Sequence, residues 1–383
     1  MQRQNLMTGT EMTGETGTLP SIRTRPRHPR RLTFFVGTQR AEPGEGIVAA
    51  ELDVRTGALA SLGVQAEVTR PTWLLADPRR PLLFAVSEVG NAGDCDGEVM
   101  SFAVGKAQLM PLGRTGSGGG GPTHLDLSPA GDTLFVANFG GGSVAALSID
   151  RDGRLGSICN MQTTRGSGPH RRQTGPHPHG VTLDPREAFL LAPDMGADRI
   201  FIYRFDSATK SLKPADTPTV ELPAGSGPRL LLFGDSGRYA YLLTELSAEL
   251  FVFRWNDHAG TLRLVQSVAL APAGAGEVRS AAALVISASG RRLYVSNRIT
   301  NTIEVYSIDR RNGRLHHIQS IGAGGVKPWG AAISPGGRWL VVANQGSDVV
   351  TAFRIDPRRG TLSATGESIT VPTPTHIAFP ISA

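Results

Sequence analysis

The amino-acid sequence predicts an all-β fold, a seven-bladed β-propeller built from four-stranded antiparallel blades. Three observations lead to this prediction: short apolar runs ending in a polar residue recur about every 50 residues, tight-turn signals precede most of them, and helical periodicity is almost absent. The seven runs end at Thr38, Glu88, Asn138, Asp194, Glu245, Asn297 and Asn344. The steps between these residues are 50, 50, 56, 51, 52 and 47.

Each run is predicted to be the second strand of a hairpin. The turn before it is marked by segments such as Asp77-Pro78-Arg79-Arg80 and Ser128-Pro129-Ala130-Gly131, and another apolar run precedes each turn. An alternating strand and a second turn follow, as in Val144 to Leu155 and Val349 to Leu362. Three of these second turns read Asp, about three residues, Gly, any residue, Leu. Four strands per unit, repeated seven times, are typical of a β-propeller.

The two ends of the repeat region are predicted to share one blade. The first unit begins at its second strand, Leu32 to Thr38, and Thr375 to Phe379 supply an isolated strand of the innermost type. Pairing these strands closes the ring and removes a free sheet edge. The sequence therefore predicts a propeller over residues 32–383, preceded by a disordered basic leader over residues 1–31.

The charge distribution argues against nucleic acid as a partner. The net charge is +6, but the leader carries +4 of it through six arginines and two glutamates, so the propeller itself is nearly neutral. No run approaches the roughly 20 apolar residues of a membrane-spanning helix, and the leader lacks the apolar core of a secretory signal. We therefore expect no membrane partner and a cytoplasmic location. Cys95 and Cys159 fit no disulfide framework or metal-site spacing.

Polar and titratable side chains are predicted to meet at one mouth of the ring. In a propeller blade the start of the first strand and the end of the second lie on the same face. Turn chemistry alone accounts for any one of these residues, but together they bring acid, base and cation into one funnel. The candidates at strand starts are His124, His177, His179, Arg229 and Lys327, and those at strand ends are Asn138, Asp194, Glu245, Arg298 and Gln345.

Other site motifs are not supported. The glycine run from Gly118 to Gly121 is followed by neither a helical pattern nor a Lys-Ser/Thr pair, and no Gly-x-Ser-x-Gly segment is present. A metal site of His124, His177 and His179 is disfavoured because no carboxylate or cysteine stands at companion spacing. We therefore predict neither a metal nor an organic cofactor.

The motifs around these candidates carry a family resemblance. Over residues 32–380 the chain resembles the seven-bladed lactonase family, which includes propeller-type 6-phosphogluconolactonase and the fungal carboxy-cis,cis-muconate cyclase. The segments that carry the resemblance are Val36-Gly37-Thr38, Ala137 to Ser143, Pro176-His177-Pro178-His179-Gly180-Val181, Pro193 to Arg199, Gly225-Ser226-Gly227-Pro228-Arg229, Tyr294-Val295-Ser296-Asn297-Arg298 and Ala343 to Asp348.

The resemblance implies a catalytic set made of His177 or His179 together with Arg229, Glu245 and Arg298. It also reveals departures. Leu230, Ala283 and Val285 stand where the family often has polar residues, namely His after Gly-Pro-Arg, and Glu and His in the strand before Tyr-x-Ser-Asn-Arg. These departures imply an altered substrate or a loss of activity.

The leading functional hypothesis is hydrolysis of a sugar lactone of the 6-phosphogluconolactonase type. His179 or Glu245 would activate water as general base, and Arg229 and Arg298 would hold the oxyanion or the anionic end of the substrate. The residues expected to bind the small-molecule substrate are His124, Asn138, Asp194, Lys327 and Gln345. Two alternatives stay open: an enzyme that forms a lactone from a muconate, and a propeller without enzymatic activity that binds a ligand or partner.

Overall fold

The computed structural model describes residues 30–270 and 278–381. These residues form seven four-stranded antiparallel sheets, and each sheet uses strands that are neighbours along the chain except where the two ends meet. The prediction of a seven-bladed β-propeller is confirmed. Only one short 3-10 turn, Gln345–Ser347, interrupts the β-structure of the described ranges, and no helix in them is long and apolar enough to span a membrane.

Blades 1 to 4 cover the first part of the chain. Blade 1 contains β28 (Pro374–Ala378), β1 (Arg31–Thr38), β2 (Gly46–Asp53) and β3 (Leu59–Glu67). Blade 2 contains β4 (Leu74–Ala76), β5 (Leu82–Ser87), β6 (Glu98–Val104) and β7 (Leu109–Gly116). Blade 3 contains β8 (Pro122–Leu127), β9 (Thr133–Asn138), β10 (Ser143–Ile149) and β11 (Leu155–Thr163). Blade 4 contains β12 (Thr182–Leu183), β13 (Phe189–Asp194), β14 (Arg199–Asp206) and β15 (Ser211–Glu221).

Blades 5 to 7 complete the ring. Blade 5 contains β16 (Pro228–Phe233), β17 (Tyr239–Thr244), β18 (Glu249–Asn256) and β19 (Thr261–Ala269). Blade 6 contains β20 (Ala281–Ile286), β21 (Arg292–Asn297), β22 (Thr302–Ile308) and β23 (Leu315–Gly322). Blade 7 contains β24 (Pro328–Ile333), β25 (Trp339–Asn344), β26 (Val349–Ile355) and β27 (Leu362–Thr370).

The shared blade closes the ring as predicted. Strand β28 pairs with β1, with Ile377 opposite Val36 and His376 opposite Gly37. Strand β1 begins at Arg31, one residue before the predicted start of the propeller. The predicted leader falls almost wholly on residues 1–29, which lie outside the described residues.

The hydrophobic core lies between neighbouring blades. Every residue of β9, β13 and β25 is buried, whereas an outer strand such as β3 contains only exposed and partly buried residues. Phe135 and Ala137 of blade 3, for example, belong to one cluster with Val181 and Leu190 of blade 4. Each blade therefore buries its apolar faces only against its neighbours, which is the packing logic of a repeat protein.

The repeated Asp and Gly of the second turns have distinct roles in this packing. The Asp53 carboxylate accepts hydrogen bonds from the backbone N–H groups of Arg55 and Thr56, at 2.8 and 3.0 Å. Gly57 adopts a φ of +88°, and a Cβ added to it would stand 2.5 Å from the ring of Trp339 in blade 7. The turn motif is therefore needed both for its own geometry and for contact with the preceding blade.

A β-bulge occurs at the start of most first strands. The pairing register shifts between Pro228 and Leu230, between Pro122 and His124, and at the corresponding point of blades 1, 6 and 7. The second residue of the strand, such as Arg229, is the extra residue of the bulge. Bulges turn a side chain out of the sheet ladder, and here the bulged residues stand at the mouth where the candidate site was predicted.

Candidate active site

Three blades place the main charged residues around one carboxylate. Glu245 follows the last residue of β17, Arg298 follows the last residue of β21, and Arg229 is the bulged residue of β16. His179 lies just before β12, where Pro178 bridges to Asp194. The structure therefore brings together four of the five residues predicted to be catalytic.

The Glu245 carboxylate is 1% exposed and is surrounded by cations. Its Oε1 contacts the guanidinium groups of Arg172 at 2.5 Å and Arg298 at 2.8 Å, and its Oε2 forms an ion pair with Arg229. The Nε2 of His179 lies 3.8 Å from Oε2. We call this set of Glu245, Arg172, Arg229, Arg298 and His179 the Glu245 cluster.

Further contacts fix the two inner arginines. Arg229 donates from Nε to the backbone oxygen of Ala282 at 3.1 Å, and Arg298 donates from Nη2 to the Ser280 hydroxyl at 2.6 Å. Both guanidinium groups also lie over the ring of Trp329, with Cζ at 5.6 and 4.6 Å from the ring centroid. Such stacking is favourable for a weakly hydrated guanidinium, so both arginines are held in place from several sides.

The charges of the cluster determine the protonation of its acid. Burial alone would raise the pKa of Glu245, but the nearby charges of Arg298 and Arg229 hold the pKa well below its ordinary value. The pKa of Arg229 is lowered to about 10, chiefly by burial and partly by the charge of Arg298. Glu245 is therefore a firmly ionised carboxylate and a weak base, while the arginines remain charged at neutral pH.

His179 is a neutral imidazole within this charged set. Burial and the charge of Arg229 hold its pKa well below the ordinary value. Its Nε2 lies against the guanidinium Nη1 of Arg229, which can only donate, so Nε2 accepts and Nδ1 carries the proton. This Nδ1 is buried and has no hydrogen-bond partner among the described residues.

Arg172 was not predicted from the sequence. It lies in the segment 164–181 between β11 and β12, within the unit whose step of 56 residues is the longest of the six. The buried Gln173 fixes this segment by donating to the backbone oxygen of Met195 at 2.8 Å and accepting from the N–H of His170 at 3.0 Å. The extra length of that unit was the only sequence signal for Arg172.

The sequence prediction also omits Trp329 as a site residue, although it includes Lys327 at the same strand start. The Nζ of Lys327 stands 5.3 Å from the centroid of the Trp329 ring, so this predicted substrate-binding residue lies beside the Glu245 cluster. Partial burial and the charge of Arg298 lower the pKa of Lys327. Trp329 is therefore a common platform for three cations.

Two predicted binding residues, Asn138 and Asp194, form hydrogen bonds within the scaffold. Asn138 is buried and donates from Nδ2 to the backbone oxygen of Ser117 at 3.0 Å and to the Ser143 hydroxyl at 3.1 Å. Asp194 is buried and accepts at Oδ1 from three backbone N–H groups, including that of His177 at 2.8 Å. The structure does not bring either side chain into the Glu245 cluster.

His177 and Gln345 lie at the rim. The His177 ring stacks on Phe139, with centroids 4.3 Å apart, and its Nδ1 is 2.8 Å from the backbone oxygen of Phe139. Phe139 also contacts His179 in a T-shaped arrangement, with ring centroids 5.6 Å apart. Gln345 bonds to the side chain of Gln39. Of the two candidate histidines, only His179 contacts the Glu245 cluster.

His124 belongs to a stack of rings in blades 1 to 3. The ring of Trp73 has its centroid 4.1 Å from that of His124 and 3.8 Å from that of His376. Burial lowers the pKa of each histidine to about 3, helped at His124 by the charges of His376 and Arg229. Trp73 also packs against the cluster that contains Leu230, so this stack adjoins the Glu245 cluster from the opposite half of the ring.

Apolar side chains pack into the core at the three positions where the sequence departs from the family. Leu230 is buried in the core of blades 5 and 6, and Ala283 is buried in the core of blades 6 and 7, with Val285 packed against it. The polar groups that the family often has at these positions are replaced by apolar contacts. The contacts of the Glu245 cluster therefore form without these polar groups.

The described residues place neither a metal-ligand cluster nor the groove described next at this site. In residues 30–270 and 278–381, no group of three or more His, Cys, Asp or Glu residues is arranged to hold a metal ion. A groove of about 1230 Å³ lies at the other end of the ring, lined by the hairpin turns around Ser289 and Pro335. No residue of the Glu245 cluster lines this groove, so we place the chemistry at the opposite mouth.

Comparison with known proteins agrees with the fold and shows the family. The family described as "Lactonase, 7-bladed beta-propeller" matches residues 33–379. The 6-phosphogluconolactonase of Bacillus subtilis is 27% identical over 296 residues, which cover 77% of this chain and 82% of that protein. A periplasmic gluconolactonase of Pseudomonas aeruginosa has a similar structure, with a TM-score of 0.86 and 36% identity over 92% of this chain and 100% of that chain. A protein from Lactobacillus plantarum gives a TM-score of 0.84 at 28% identity, covering 91% of this chain and 99% of that chain. The match over almost all of the described residues shows that this chain belongs to the seven-bladed β-propeller lactonase family.

Proposed function

We propose that the protein hydrolyses a sugar lactone at the Glu245 cluster. The observation that carries this proposal is the combination of a buried neutral imidazole with three guanidinium groups around a single carboxylate. Lactone hydrolysis needs a base for water and a fixed positive charge for the oxyanion, and these residues supply both. The names of the relatives, 6-phosphogluconolactonase and gluconolactonase, support the same class of substrate.

The proposed chemistry divides the cluster into three roles. His179 accepts a proton from water as the water oxygen attacks the lactone carbonyl carbon. The contact between Arg229 Nη1 and His179 Nε2 opens to admit the water, while Ala282 and Trp329 keep the rest of the Arg229 side chain in place. Together with Arg298, Arg229 binds the negative charge that develops on the carbonyl oxygen. The tetrahedral intermediate then breaks the bond to the ring oxygen, which takes the proton back from His179, and a hydroxy acid is released.

Of the two bases left open by the sequence, we favour His179 over Glu245. The pKa of each group is held well below its ordinary value, so the number of partners separates them. Three guanidinium groups engage the two Glu245 oxygens, whereas a single donor faces the lone pair of His179 Nε2. The Glu245 carboxylate instead holds Arg172, Arg229 and Arg298 together against their mutual repulsion. We therefore assign Glu245 the positioning role and His179 the proton transfer.

The test is a hydrolysis assay on the purified full chain at pH 7. Proton release from glucono-δ-lactone and 6-phosphoglucono-δ-lactone is followed, and spontaneous hydrolysis is subtracted. We expect turnover of at least one lactone and a fall in kcat of roughly 10²- to 10⁴-fold in His179→Gln, the usual contribution of a general base.

The matched control is His177→Gln, since this neighbouring imidazole packs on Phe139 outside the cluster. We expect its kcat to fall less than tenfold. Absence of turnover on both lactones would contradict the proposed function and leave the muconate-lactonising enzyme and the ligand-binding propeller as the alternatives. A larger loss in His177→Gln than in His179→Gln would move the base to His177.

A further inference from the structure

We propose that the groove between the hairpin turns of blades 6 and 7 binds an extended acidic peptide segment of a partner protein. This groove lies at the end of the ring opposite the Glu245 cluster, so the proposal does not depend on lactone hydrolysis. Three features of the groove carry it: an excess of arginines in the surrounding turns, walls that are already joined, and partly exposed apolar side chains along its length.

Positive charge is concentrated in the turns of these two blades. Blades 6 and 7 have four turns at this end, which cover residues 287–291, 309–314, 334–338 and 356–361. They contain seven arginines and two aspartates, a net charge of +5. The corresponding turns of blades 2 and 3 carry +1, and those of blades 4 and 5 carry −1. The nearly neutral propeller therefore has one strongly basic sector at this end, which attracts an acidic partner.

The walls of the groove are joined by Arg292 of blade 6. Its Nε donates to the backbone oxygen of Arg359 at 2.6 Å and its Nη2 to that of Arg358 at 3.1 Å, both in a turn of blade 7. The groove is thus formed without a ligand. Its volume of about 1230 Å³ exceeds the roughly 300–1,000 Å³ of a small-molecule pocket, which favours a longer ligand.

Two arginines that line the groove are available to a ligand. Arg291 and Arg358 are exposed, and within residues 30–270 and 278–381 neither side chain forms an ion pair or a hydrogen bond. Arg310 also lines the groove and pairs with Asp235 of blade 5 at 3.1 Å. Asp356 is the only carboxylate among the lining residues, and its Oδ1 accepts from two backbone N–H groups of its own turn. Free guanidinium groups bind carboxylates in a bidentate manner.

Apolar side chains line the part of the groove nearest the ring axis. Ile286, Ile333 and Phe379 stand at the ends of the innermost strands of blades 6, 7 and 1, and each is partly exposed. We call these three side chains the apolar floor. Successive side chains of an extended chain point to opposite faces. A segment of alternating apolar and acidic residues therefore places one kind on the floor and the other beside the arginines.

Single-stranded nucleic acid fits this groove less well than an acidic peptide does. Such a ligand is bound by exposed aromatic rings on which its bases stack. Tyr294 and Phe379 are the two aromatic residues that line the groove, and Tyr294 is only 1% exposed. The apolar floor gives bases no row of rings, whereas it accommodates aliphatic side chains.

The experiment measures peptide binding to the full-length protein by fluorescence anisotropy. The probe is a short labelled peptide of alternating glutamate and leucine, compared with one of glutamate and serine and one of serine and leucine. We expect the glutamate–leucine peptide to bind at least about tenfold more tightly than either, because only this peptide matches both the arginines and the floor. Its affinity should fall as the salt concentration rises.

The double variant Arg291→Gln/Arg358→Gln should weaken this binding by about tenfold. Its matched control is Arg79→Gln/Arg151→Gln, which removes two exposed arginines from the corresponding turns of blades 2 and 3. The control changes the net charge equally, and its affinity should stay within about twofold of the wild type, since surface charges outside the groove contribute little. Neither pair lies in the Glu245 cluster, so both double variants should hydrolyse lactones as the wild type does.

Four results would overturn the proposal. The first is no measurable binding of the glutamate–leucine peptide, and the second is an equal loss in both double variants, because binding would then follow net charge and not the groove. The third is equal affinity for the glutamate–leucine and glutamate–serine peptides, since the apolar floor would then take no part. The fourth is tighter binding of a labelled thymidine oligonucleotide or of phosphatidylserine vesicles that is lost in Arg291→Gln/Arg358→Gln, which would assign the groove to nucleic acid or to a membrane surface.

Discussion

The two halves of the ring use the same strand positions in opposite ways. In blades 1, 2 and 3 the residue after Pro374, Pro71 or Pro122 is Thr375, Thr72 or Thr123, and the next residue carries a large ring, His376, Trp73 or His124. In blades 4, 5 and 7 the residue after Pro178, Pro228 or Pro328 is His179, Arg229 or Trp329, and the next is Gly180, Leu230 or Gly330. Blade 6 has Ala282 and Ala283 at these two positions. One half is filled with neutral stacked rings and the other with a charged cluster.

This difference shows how a repeated scaffold produces a single site. The rings of His376, Trp73 and His124 occupy one side, whereas Gly180, Leu230, Ala283 and Gly330, none of which carries a ring, stand at the same position on the other side. The buried His124 and His376 are neutral, since their pKa values are lowered to about 3, whereas the other side carries the charges around Glu245. The candidate site therefore lies where the repeats differ in sequence.

The largest expected effect comes from removing the central charge of the charged half. Glu245→Gln keeps the shape of the side chain but leaves Arg229 and Arg298 buried without a counter-charge. We expect the free energy of unfolding to fall by about 3–5 kcal/mol, as for other broken buried ion pairs, and kcat/KM for the lactone to fall at least about a hundredfold. Urea unfolding and the hydrolysis assay measure the two effects.

Glu88→Gln is the matched control, because Glu88 follows β5 of blade 2 as Glu245 follows β17 of blade 5. Glu88 accepts hydrogen bonds from Thr72 and from Asn91 but lies 3.6 Å from its nearest cation, Arg70. We expect its substitution to cost less than about 1.5 kcal/mol. Equal losses in the free energy of unfolding for Glu245→Gln and Glu88→Gln would show that the two halves do not differ in their electrostatics.

The second prediction concerns the neutral half and pH. The pKa of His376 in the folded protein, about 3, is below its ordinary value of 6.5, so the unfolded chain binds a proton more readily. The stability due to this histidine is complete above pH 6.5 and is lost as the pH falls toward 3. Between pH 7 and pH 5 we expect His376→Phe to lose about 2 kcal/mol less stability than the wild type, measured by urea unfolding at both pH values.

His258→Phe serves as the comparison, since the His258 side chain is 79% exposed and lies in a turn at the other end of the ring. Its loss between pH 7 and pH 5 should equal that of the wild type. If His376→Phe also loses as much unfolding free energy between pH 7 and pH 5 as the wild type does, the His376 imidazole is protonated in the folded state. The stacked rings would then carry a charge.

The smallest expected effect comes from the scaffold that both halves share. Asn344 of blade 7 donates from Nδ2 to the backbone oxygen of Ala323 at 3.2 Å and to Thr351 at 3.1 Å, the pattern that Asn138 shows in blade 3. We expect Asn344→Ala and Asn138→Ala each to lower the free energy of unfolding by about 1 kcal/mol. A loss of activity confined to Asn138→Ala would restore the sequence prediction that Asn138 binds substrate.

The fold was predictable because its signals are local and repeated. The polar strand ends and the Asp…Gly turns recur along the chain and mark the same elements in successive blades. The offset between Leu32 and Thr375 marks the shared blade. The convergence of Arg229, Glu245 and Arg298 followed from that symmetry alone. The cytoplasmic location and the disordered state of the leader stay predictions.

The remaining parts of the site depend on spatial contacts that the repeat pattern does not predict. Arg172 comes from a segment present in only one unit, and nothing in its neighbourhood marks which of Arg171 and Arg172 turns inward. Asn138 and Asp194 have the same residue types whether they bind a ligand or satisfy backbone N–H groups, so sequence alone could not separate these uses. Trp329 gains its role only from the three cations that surround it.

The shared blade also constrains how the protein is made. Strand β28 must pair with β1, from which it is separated by the rest of the ring along the chain. A nascent chain can stack blades 2 to 7 as they leave the ribosome, but blade 1 lacks its innermost strand until Pro374–Ala378 have been synthesised. Closure of the ring consequently waits for the five residues Pro374–Ala378, which must pair with β1, the first strand along the described part of the chain.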